Sequence, residues 1–448
     1  MNITESIFKA YDVRGISGTE LTPEVATAIA RAAADFMPTA GPVVVGRDMR
    51  ADSAELAAAV IAGLTAQGRN VWDIGLVTTD MVYFAAGRFN ELAGGVMVTA
   101  SHNPGKYNGI KLCGRGAVPM GATNGLLDIK AAVIAGRFKT SDRRGGVTER
   151  SIVAEWVDQV LGFVNVPALK PYRVAVDAGN GMAGAIFPAL QEHLPFEVKQ
   201  MYFELDGTFP NHVANPHLTE TLADIRQVIA DDKLDFGMAF DGDGDRGGLI
   251  DETGTPVPEP VMGAILAKHF LTLHPGATIL YDVRTSHIVR DAIEAAGGKA
   301  VRSKVGGDVI KGTMRQMEAV LGIELSGHYY FKDNFYSDSG LIAVMAMVSI
   351  LAESGQKLNE LVAPYAVYAT AEETNFTVSG APAAIAILKA AFFDGEIDEL
   401  DGLTVTYPDW WFNVRASNTE PLVRLNVEAD NKVLLDQKLA ELTVLLQA

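Results

Sequence analysis

The chain has 448 residues, of which 48% are hydrophobic, and its formal net charge is −18. That length predicts about three or four domains of ordinary size, and the hydrophobic content argues against extended disorder. The acidic balance disfavours nucleic acid and anionic membranes as partners, whereas local clusters of Arg and Lys could still bind an anionic substrate.

Several features of the sequence predict a cytoplasmic protein. Its one cysteine, Cys113, excludes an intramolecular disulfide and fits a reducing compartment. Glu5, Lys9 and Asp12 interrupt the N-terminal stretch, which argues against a signal peptide. We expect no membrane-spanning segment, because no uncharged apolar run approaches about 18 residues.

Three successive parts of the chain follow one plan. In each part an apolar strand ends in a polar turn, a helix follows the turn, and a second strand follows the helix. The opening strands are Val43–Asp48, Tyr172–Asp177 and Ala277–Asp282. Their spacing of roughly 100–130 residues is typical of similar domains rather than of a solenoid repeat. A generic alternation of strands and helices is the alternative.

A later strand of each part runs into a polar loop, and another apolar strand leaves that loop. The three loops are Thr99–Pro104, Asp241–Arg246 and Glu324–His328. If the three parts fold alike, these loops lie at the same relative position and could converge on one cleft.

The last part of the chain has a different pattern. We predict a strand over Val367–Ser379, a helix over Ala381–Phe393, a polar loop at Arg415–Pro421 and a final helix over about 432–446. The predicted fold class is α/β, with three similar mixed-sheet α/β domains and a C-terminal α+β domain around a central cleft. The predicted domain bounds are 1–150, 151–252, 253–366 and 367–448.

The second loop has the composition of a cation site. Asp241, Asp243 and Asp245 alternate with glycines, so three carboxylates could surround a hard cation. An acidic, solvated turn is the alternative. An EF-hand calcium loop is a further alternative, since Glu252 stands at its twelfth position, but Arg246 occupies the place of the required glycine and strands flank the loop.

The first loop presents a candidate nucleophile, Ser101, beside His102. A Ser–His hydrolase is disfavoured because adjacent side chains in an extended loop point apart and the G-x-S-x-G motif is absent. We interpret His102 as a hydrogen-bonding residue of the loop. A cation at the second loop would favour a phosphorylated Ser101, because the cation would stabilise its charge.

The remaining two loops have the composition of a sugar phosphate site. Glu324, Ser326 and His328 occupy alternate positions, which face the same way in an extended segment and suit sugar hydroxyls. The Arg415–Pro421 loop offers a guanidinium, two hydroxyls and an amide, and Arg424 follows it; such donors suit phosphate oxygens. A polar strand edge and an ordinary turn are the respective alternatives.

One motif indicates a different class of protein. Gly179–Gly184 matches G-x-G-x-x-G after a strand, with Glu204 further on, as in dinucleotide-binding proteins. Asp177 directly precedes these glycines, and its charge would disfavour a pyrophosphate. We therefore interpret the motif as a tight turn between strand and helix.

Taken together, the loops resemble those of the α-D-phosphohexomutase family, and within it the bacterial phosphomannomutase/phosphoglucomutase group. The resemblance covers nearly the whole chain. The matching motifs are Phe8–Gly15, Thr99–Pro104, Asp241–Arg246, Glu324–His328 and Arg415–Pro421. The family fold, four domains around a deep cleft, agrees with the repeat.

This resemblance implies a reaction. A phosphorylated Ser101 would exchange its phosphoryl group with a hexose phosphate, mannose and/or glucose, through a hexose 1,6-bisphosphate. Magnesium would be held by Asp241, Asp243, Asp245 and an oxygen of the phosphorylated Ser101. Lys111 and Arg14 match residues near the transferring group, and Lys111 is the better general base because a lysine pKa can be lowered. The catalytic candidates are thus Ser101, Lys111, Arg14 and His102. The implied substrate-binding residues are Tyr11, Arg246, Glu324, Ser326, His328, Arg415, Ser417, Asn418, Thr419 and Arg424.

Departures from the family pattern bear on the sugar. Gly306-Gly307-Asp308 stands where relatives usually have Gly-His, Arg284 stands where lysine is common, and the sugar loop begins Gly322-Ile323 rather than Gly-Gly. Phosphoglucosamine mutase is the same-fold alternative, and a dinucleotide-dependent oxidoreductase or a catalytically silent sugar phosphate-binding protein are alternatives of other classes. We expect a monomer or homodimer with a hexose phosphate substrate and no nucleic-acid or membrane partner.

Overall fold

The computed structural model describes residues 3–37, 39–416 and 422–447. Ser417, Asn418 and Thr419, predicted to bind phosphate, lie outside the described residues. Within the described part, the chain forms four domains, each built on its own β-sheet.

The first domain alternates strands and helices. Its elements are β1 (Val13–Ile16), α1 (Pro23–Phe36), β2 (Val43–Arg47), α2 (Ser53–Ala66), β3 (Val71–Leu76), α3 (Thr79–Arg88), β4 (Gly94–Val98), β5 (Tyr107–Gly114), β6 (Val118–Pro119), α4 (Leu126–Ala135) and β7 (Val147–Glu149). Helix α1 begins as the sequence dictates, with Thr22 accepting the Val25 amide as N-cap and Pro23 in the first turn.

The second and third domains repeat the plan with fewer elements. The second contains α5 (Val153–Leu161), β8 (Arg173–Asp177), α6 (Ala183–Gln191), β9 (Glu197–Met201), α7 (Ala223–Asp232), β10 (Phe236–Phe240) and β11 (Gly247–Asp251). The third contains α8 (Glu259–Leu273), β12 (Thr278–Asp282), α9 (His287–Ala295), β13 (Lys299–Ser303), α10 (Gly307–Met317), β14 (Leu321–Ile323), β15 (Tyr329–Phe331), β16 (Ser337–Asp338), α11 (Gly340–Ser354) and α12 (Leu358–Val362).

The strand orders confirm the predicted repeat. The common order is β5-β4-β2-β3 in the first sheet, β11-β10-β8-β9 in the second and β15-β14-β12-β13 in the third. In each sheet the last three strands of that order are parallel and the first is antiparallel to its neighbour. Each polar loop joins the antiparallel strand to the parallel strand beside it, β4, β10 or β14, so the three loops emerge at equivalent sheet edges.

The fourth domain is an antiparallel α+β unit, as predicted. Its elements are β17 (Ala369–Thr370), β18 (Thr374–Thr377), α13 (Ala381–Ala391), β19 (Glu396–Asp398), β20 (Leu403–Thr406), β21 (Trp410–Ala416), β22 (Leu422–Ala429) and α14 (Lys432–Gln447). The prediction of one strand over 367–379 is wrong. The segment breaks into β17 and β18, both paired to β22, and Glu373 lies in the break.

The hydrophobic interior divides differently from the four sheets. One large cluster contains Val82 and Phe84 of the first domain, Phe240 of the second and Ile323 and Met347 of the third, so these three domains share a continuous core. The core of the fourth domain, with Phe412 and Leu442, contains only residues of that domain. Helix α11 is buried along most of its length.

Among the described residues, no single helix is both long and apolar enough to cross a membrane, and the bent pair formed by Gly340–Ser354 and Leu358–Tyr365 meets that test by length and composition only.

Candidate active site

The three repeat loops meet in one cleft, with the aspartate loop between the other two. The Ser101 hydroxyl donates to Asp241 Oδ2 at 3.0 Å. On the other side, His328 Nε2 lies 3.5 Å from Asp245 Oδ1. The prediction that equivalent loops converge is therefore confirmed for the described residues.

The serine loop is held by an arginine that sequence reasoning missed. Arg50 is buried and donates to the backbone carbonyls of Ser101 (2.7 Å), Pro104 (3.0 Å) and Tyr107 (2.9 Å). Its charge is balanced by Asp48, whose Oδ2 lies 3.2 Å from Arg50 Nε. The sequence offered only a weak signal, a charged pair shortly after the buried strand β2, because the carbonyl partners of Arg50 are distant along the chain.

Ser101 itself has a left-handed backbone, with φ of 53°. The prediction that Ser101 and His102 point apart is wrong, because that conformation is not extended: Ser101 Oγ and His102 Nδ1 are 3.1 Å apart. Burial, together with the positive charges of Arg246 and Arg14, lowers the pKa of His102 to about 2. A neutral imidazole therefore contacts the serine at neutral pH, which suits a hydrogen-bonding role.

The aspartate loop fits a hard cation. Asp241, Asp243 and Asp245 are buried, and one oxygen from each lies within 4.8 Å of the others. The Oδ1 atoms of Asp243 and Asp245 are buried and accept no hydrogen bond from any described residue. A cation would supply the missing partner.

Glycine is needed between these aspartates. A Cβ on Gly242 would lie 2.6 Å from the Ser101 carbonyl oxygen. Gly244 has φ of +74°, and a Cβ there would lie 2.6 Å from Thr78 Cγ2. The EF-hand alternative is wrong, since β10 and β11 flank the loop and Glu252 instead accepts the Asn359 amide at 3.3 Å.

Lys111 reaches the aspartate loop from β5 of the first domain. Its Nζ donates to Asp243 Oδ2 at 2.8 Å and Asp245 Oδ2 at 2.6 Å. Burial disfavours the ammonium, but these two carboxylates outweigh burial and raise the pKa of Lys111 well above its ordinary value. Arg14 lies beside the serine loop, where it donates to Asn103 Oδ1 at 2.7 Å and to Asp12 Oδ2 at 2.6 Å.

The third loop is a turn rather than the extended segment that alternation predicts. The Gly327 amide donates to the Glu324 carbonyl at 3.0 Å, and Gly327 has φ of +81°. The turn nevertheless brings the three side chains together: Ser326 Oγ lies 3.0 Å, and Glu324 Oε2 lies 3.5 Å, from His328 Nδ1. The Tyr330 hydroxyl donates to Glu324 Oε2 at 2.8 Å and fixes that carboxylate.

Two further predicted residues line the cleft beside this turn. The Tyr11 hydroxyl crosses from the first domain and donates to the Val305 carbonyl at 3.2 Å. Arg246 donates through Nε to Asp241 Oδ2 at 3.1 Å. Arg246 therefore contacts the aspartate loop, and Tyr11 connects the first domain with the third.

The fourth domain contributes arginines to the cleft. Arg415 and Arg424 face each other across β21 and β22. Between them and Arg284 of the third domain lies the carboxylate of Glu373, which sequence reasoning missed. Glu373 was missed because it lies within the segment 367–379, which was predicted as one continuous strand.

The Gly179–Gly184 motif is used for packing. A Cβ on Gly181 would lie 2.8 Å from the Gly242 carbonyl oxygen, and one on Gly184 would lie 2.4 Å from that of Phe203. Asp177 accepts the Gly179 amide at 2.8 Å. This geometry agrees with the interpretation as a tight turn.

Comparisons with known proteins identify a family that matches nearly the whole chain. Four family models, described as phosphoglucomutase/phosphomannomutase alpha/beta/alpha domains I, II and III and the C-terminal domain, match residues 5–134, 154–254, 260–368 and 373–443. A phosphomannomutase of Salmonella montevideo is 38% identical, with 98% of this chain and 99% of the relative covered. A phosphoglucomutase of Neisseria gonorrhoeae is 35% identical, with 97% and 95% covered.

A solved structure has the same arrangement of domains. It is a phosphoglucomutase/phosphomannomutase family protein from Burkholderia thailandensis, with a TM-score of 0.91 and 33% sequence identity, and the match covers 100% of this chain and 98% of that one.

Proposed function

Because this chain belongs to the phosphoglucomutase/phosphomannomutase family and is a phosphohexomutase, we propose that Ser101 carries the phosphoryl group that it exchanges between the 1- and 6-positions of mannose or glucose phosphate. The observation that carries this proposal is the contact of the buried Ser101 hydroxyl with Asp241, beside Lys111 and Arg14. A hydroxyl placed against a cluster of carboxylates and cations suits phosphoryl transfer, in which positioning and charge stabilisation dominate.

Magnesium is the cation we propose for Asp241, Asp243, Asp245 and an oxygen on Ser101, because three carboxylates with two unpartnered oxygens suit a hard ion. When bound, it would offset the negative charge of the transferring phosphoryl group. The buried backbone contacts of Arg50 hold Ser101 in place for that transfer.

Lys111 is the general base we propose, with Arg14 as an electrostatic partner of the transferring group. A base must be able to lose its proton, and the Asp243 and Asp245 carboxylates oppose this by raising the pKa of Lys111. A cation bound by Asp243 and Asp245 would share the charge of these carboxylates and weaken their hold on the Lys111 proton. His102 donates or accepts hydrogen bonds beside Ser101.

The substrate would lie between the third loop and the fourth domain. We assign sugar hydroxyls to Glu324, Ser326 and His328, with Tyr11 and Arg246 along the same wall. We assign the non-reacting phosphate to Arg415 and Arg424, together with Ser417, Asn418 and Thr419, which lie outside the described residues. A hexose 1,6-bisphosphate would be the intermediate and activator.

A phosphoglucosamine mutase and a dinucleotide-dependent oxidoreductase are not favoured by the relatives, which are named for mannose and glucose phosphates. Backbone atoms pack directly against Gly181 and Gly184 of the G-x-G-x-x-G motif, which argues further against an oxidoreductase. We also propose that the protein binds neither nucleic acid nor anionic membranes, because its net charge is −18. We further propose a cytoplasmic location, which its single cysteine favours, and a monomer or homodimer.

The proposal is tested by intact mass and by variants. Purified protein incubated with glucose 1,6-bisphosphate should gain one phosphoryl group, mapped to Ser101, and should convert mannose 1-phosphate and glucose 1-phosphate in the presence of magnesium. The Ser101→Ala variant should lose both properties, whereas Ser151→Ala, at an exposed serine, should keep them. Full turnover by Ser101→Ala, or a phosphoryl group on another residue, would refute it.

A further inference from the structure

The carboxylate of Glu373 lies among the arginines of the proposed phosphate site. Its Oε1 lies 3.3 Å from Arg424 Nη1, and its Oε2 lies 3.4 Å from Arg415 Nη2 and 3.9 Å from Arg284 Nη1. The Asn426 amide also donates to Oε2, at 3.3 Å. A single carboxylate from the break between β17 and β18 thus faces three guanidinium groups from two domains.

These arginines do not need Glu373 to hold their positions. Arg415 and Arg424 are paired residues of adjacent strands, so the β-ladder sets their backbones side by side. Arg284 is anchored by Asp282, to which it donates at 2.7 Å and 3.3 Å. The contacts of Glu373 are longer than the roughly 2.7–2.9 Å of a strong charge-assisted hydrogen bond. Glu373 therefore acts mainly through its charge.

The arginines have donor capacity that the carboxylate does not use. The Nε atoms of Arg415 and Arg424 are buried and have no hydrogen-bond partner among the described residues. Buried guanidinium N–H groups are costly to leave unpaired. A phosphate group, with more acceptor oxygens and more negative charge than a carboxylate, would use these donors.

We propose that Glu373 is a built-in counter-ion of the phosphate site, which limits the affinity of that site for phosphate groups. In the free protein the carboxylate neutralises part of the arginine charge, and a bound phosphate must share the arginines with it. This inference rests on the proposed function and deepens it, because a bisphosphate that presents each of its ends to Ser101 in turn must leave this site between the two transfers. A site of three uncompensated arginines would release it slowly.

The test is the affinity of the full-length protein for inorganic phosphate, measured by titration calorimetry. The Glu373→Gln variant keeps the shape of the side chain and removes its charge, so it should bind phosphate about five- to tenfold more tightly, as expected for removing one like charge within several ångströms of a partly exposed site. The Glu373→Asp variant keeps the charge and should stay closer to the wild type. Glu399→Gln, which removes a carboxylate paired with Lys389 on the surface of the same domain, should leave the affinity unchanged.

Tighter binding is an outcome that mere damage to the structure would not produce. Phosphate affinity in Glu373→Gln that is unchanged or weaker than in the wild type would overturn the inference. In turnover assays, Glu373→Gln should lower both KM and kcat for the hexose phosphate, because release becomes slower. Phosphate binding is measured without turnover. A wild-type protein that lacks mutase activity would therefore refute the proposed function, while the effect of Glu373→Gln on phosphate affinity could still be interpreted.

Discussion

Arg50 donates through Nη2 to the backbone carbonyl of Ser101 at 2.7 Å, from the buried side of the loop. The nucleophile we propose is therefore anchored through its backbone, while its hydroxyl is left to contact Asp241 in the cleft. A serine in a left-handed conformation needs such support, since that backbone is strained for any residue with a Cβ.

The Arg50→Lys variant should lose activity more than substrate affinity. Lysine keeps the charge beside Asp48, but its three N–H donors sit on one nitrogen and cannot span the carbonyls that the guanidinium reaches. The loop should therefore shift, and kcat should fall on the order of 100-fold with little change in KM. Steady-state kinetics check this. Arg69→Lys is the matched control, because Arg69 also donates to backbone carbonyls of the first domain, those of Ala34, Met37 and Thr39. Equal kcat values in the two variants would contradict the role of Arg50.

The stability of the protein should depend on the ionisation of Asp80. This carboxyl accepts hydrogen bonds from Thr78 and from Ser339 of the third domain, and burial raises its pKa to about 8. Because the folded state holds the proton more tightly than the unfolded state, the stabilisation is complete below about pH 4 and is lost as the pH rises to about 8.

The Asp80→Asn variant cannot ionise, so it should gain stability relative to the wild type over that range. The gain should grow by up to about 1.4 kcal/mol per pH unit and level off above about pH 8. The midpoints of urea unfolding at pH 5.5, 7 and 8.5 measure it. Asp128→Asn, at an exposed carboxylate of α4, serves as control, and a pH-independent difference for Asp80→Asn would refute this prediction.

Gly307 should be sensitive to the addition of a single methyl group. A Cβ there would lie 2.9 Å from the Tyr330 hydroxyl, which holds Glu324 at 2.8 Å. Gly307→Ala should therefore displace Tyr330, loosen Glu324 and raise KM for the hexose phosphate by about three- to tenfold, with a smaller effect on kcat.

Steady-state kinetics with mannose and glucose 1-phosphates measure this change in KM. Gly312→Ala is the matched control, because it lies in the same helix and a Cβ there would meet no atom within 4 Å. An unchanged KM in Gly307→Ala would show that Tyr330 does not set the position of Glu324 for binding.

Much of the fold could be predicted because its signals are local. Buried strands followed by polar turns, as at Val43–Asp48 and Tyr172–Asp177, define the repeat, and the repeat places three loops at equivalent sheet edges. The alternating aspartates indicated a cation site for the same reason, since their spacing alone brings three carboxylates together.

The features that were missed depend on long-range contacts or on backbone conformation. The side chains of Ser101 and His102 meet because φ of Ser101 is positive. A positive φ is uncommon for a residue with a Cβ, so the sequence did not predict it. Arg50 became interpretable only when its carbonyl partners, about 50 residues away along the chain, were placed around it. The turn at Gly327 replaced an extended segment because a glycine with positive φ reversed the chain there.

The division of the hydrophobic interior has a mechanical consequence. The first three domains share one core, whereas the fourth is joined to the third by contacts such as the Glu428 carboxylate on the His287 amide and the stacking of His287 on Trp411. Polar contacts and ring stacking exchange readily with water, but apolar cores do not. We therefore expect any bending of the molecule to occur between the third and fourth domains, while the part that holds the Ser101 and aspartate loops keeps its shape.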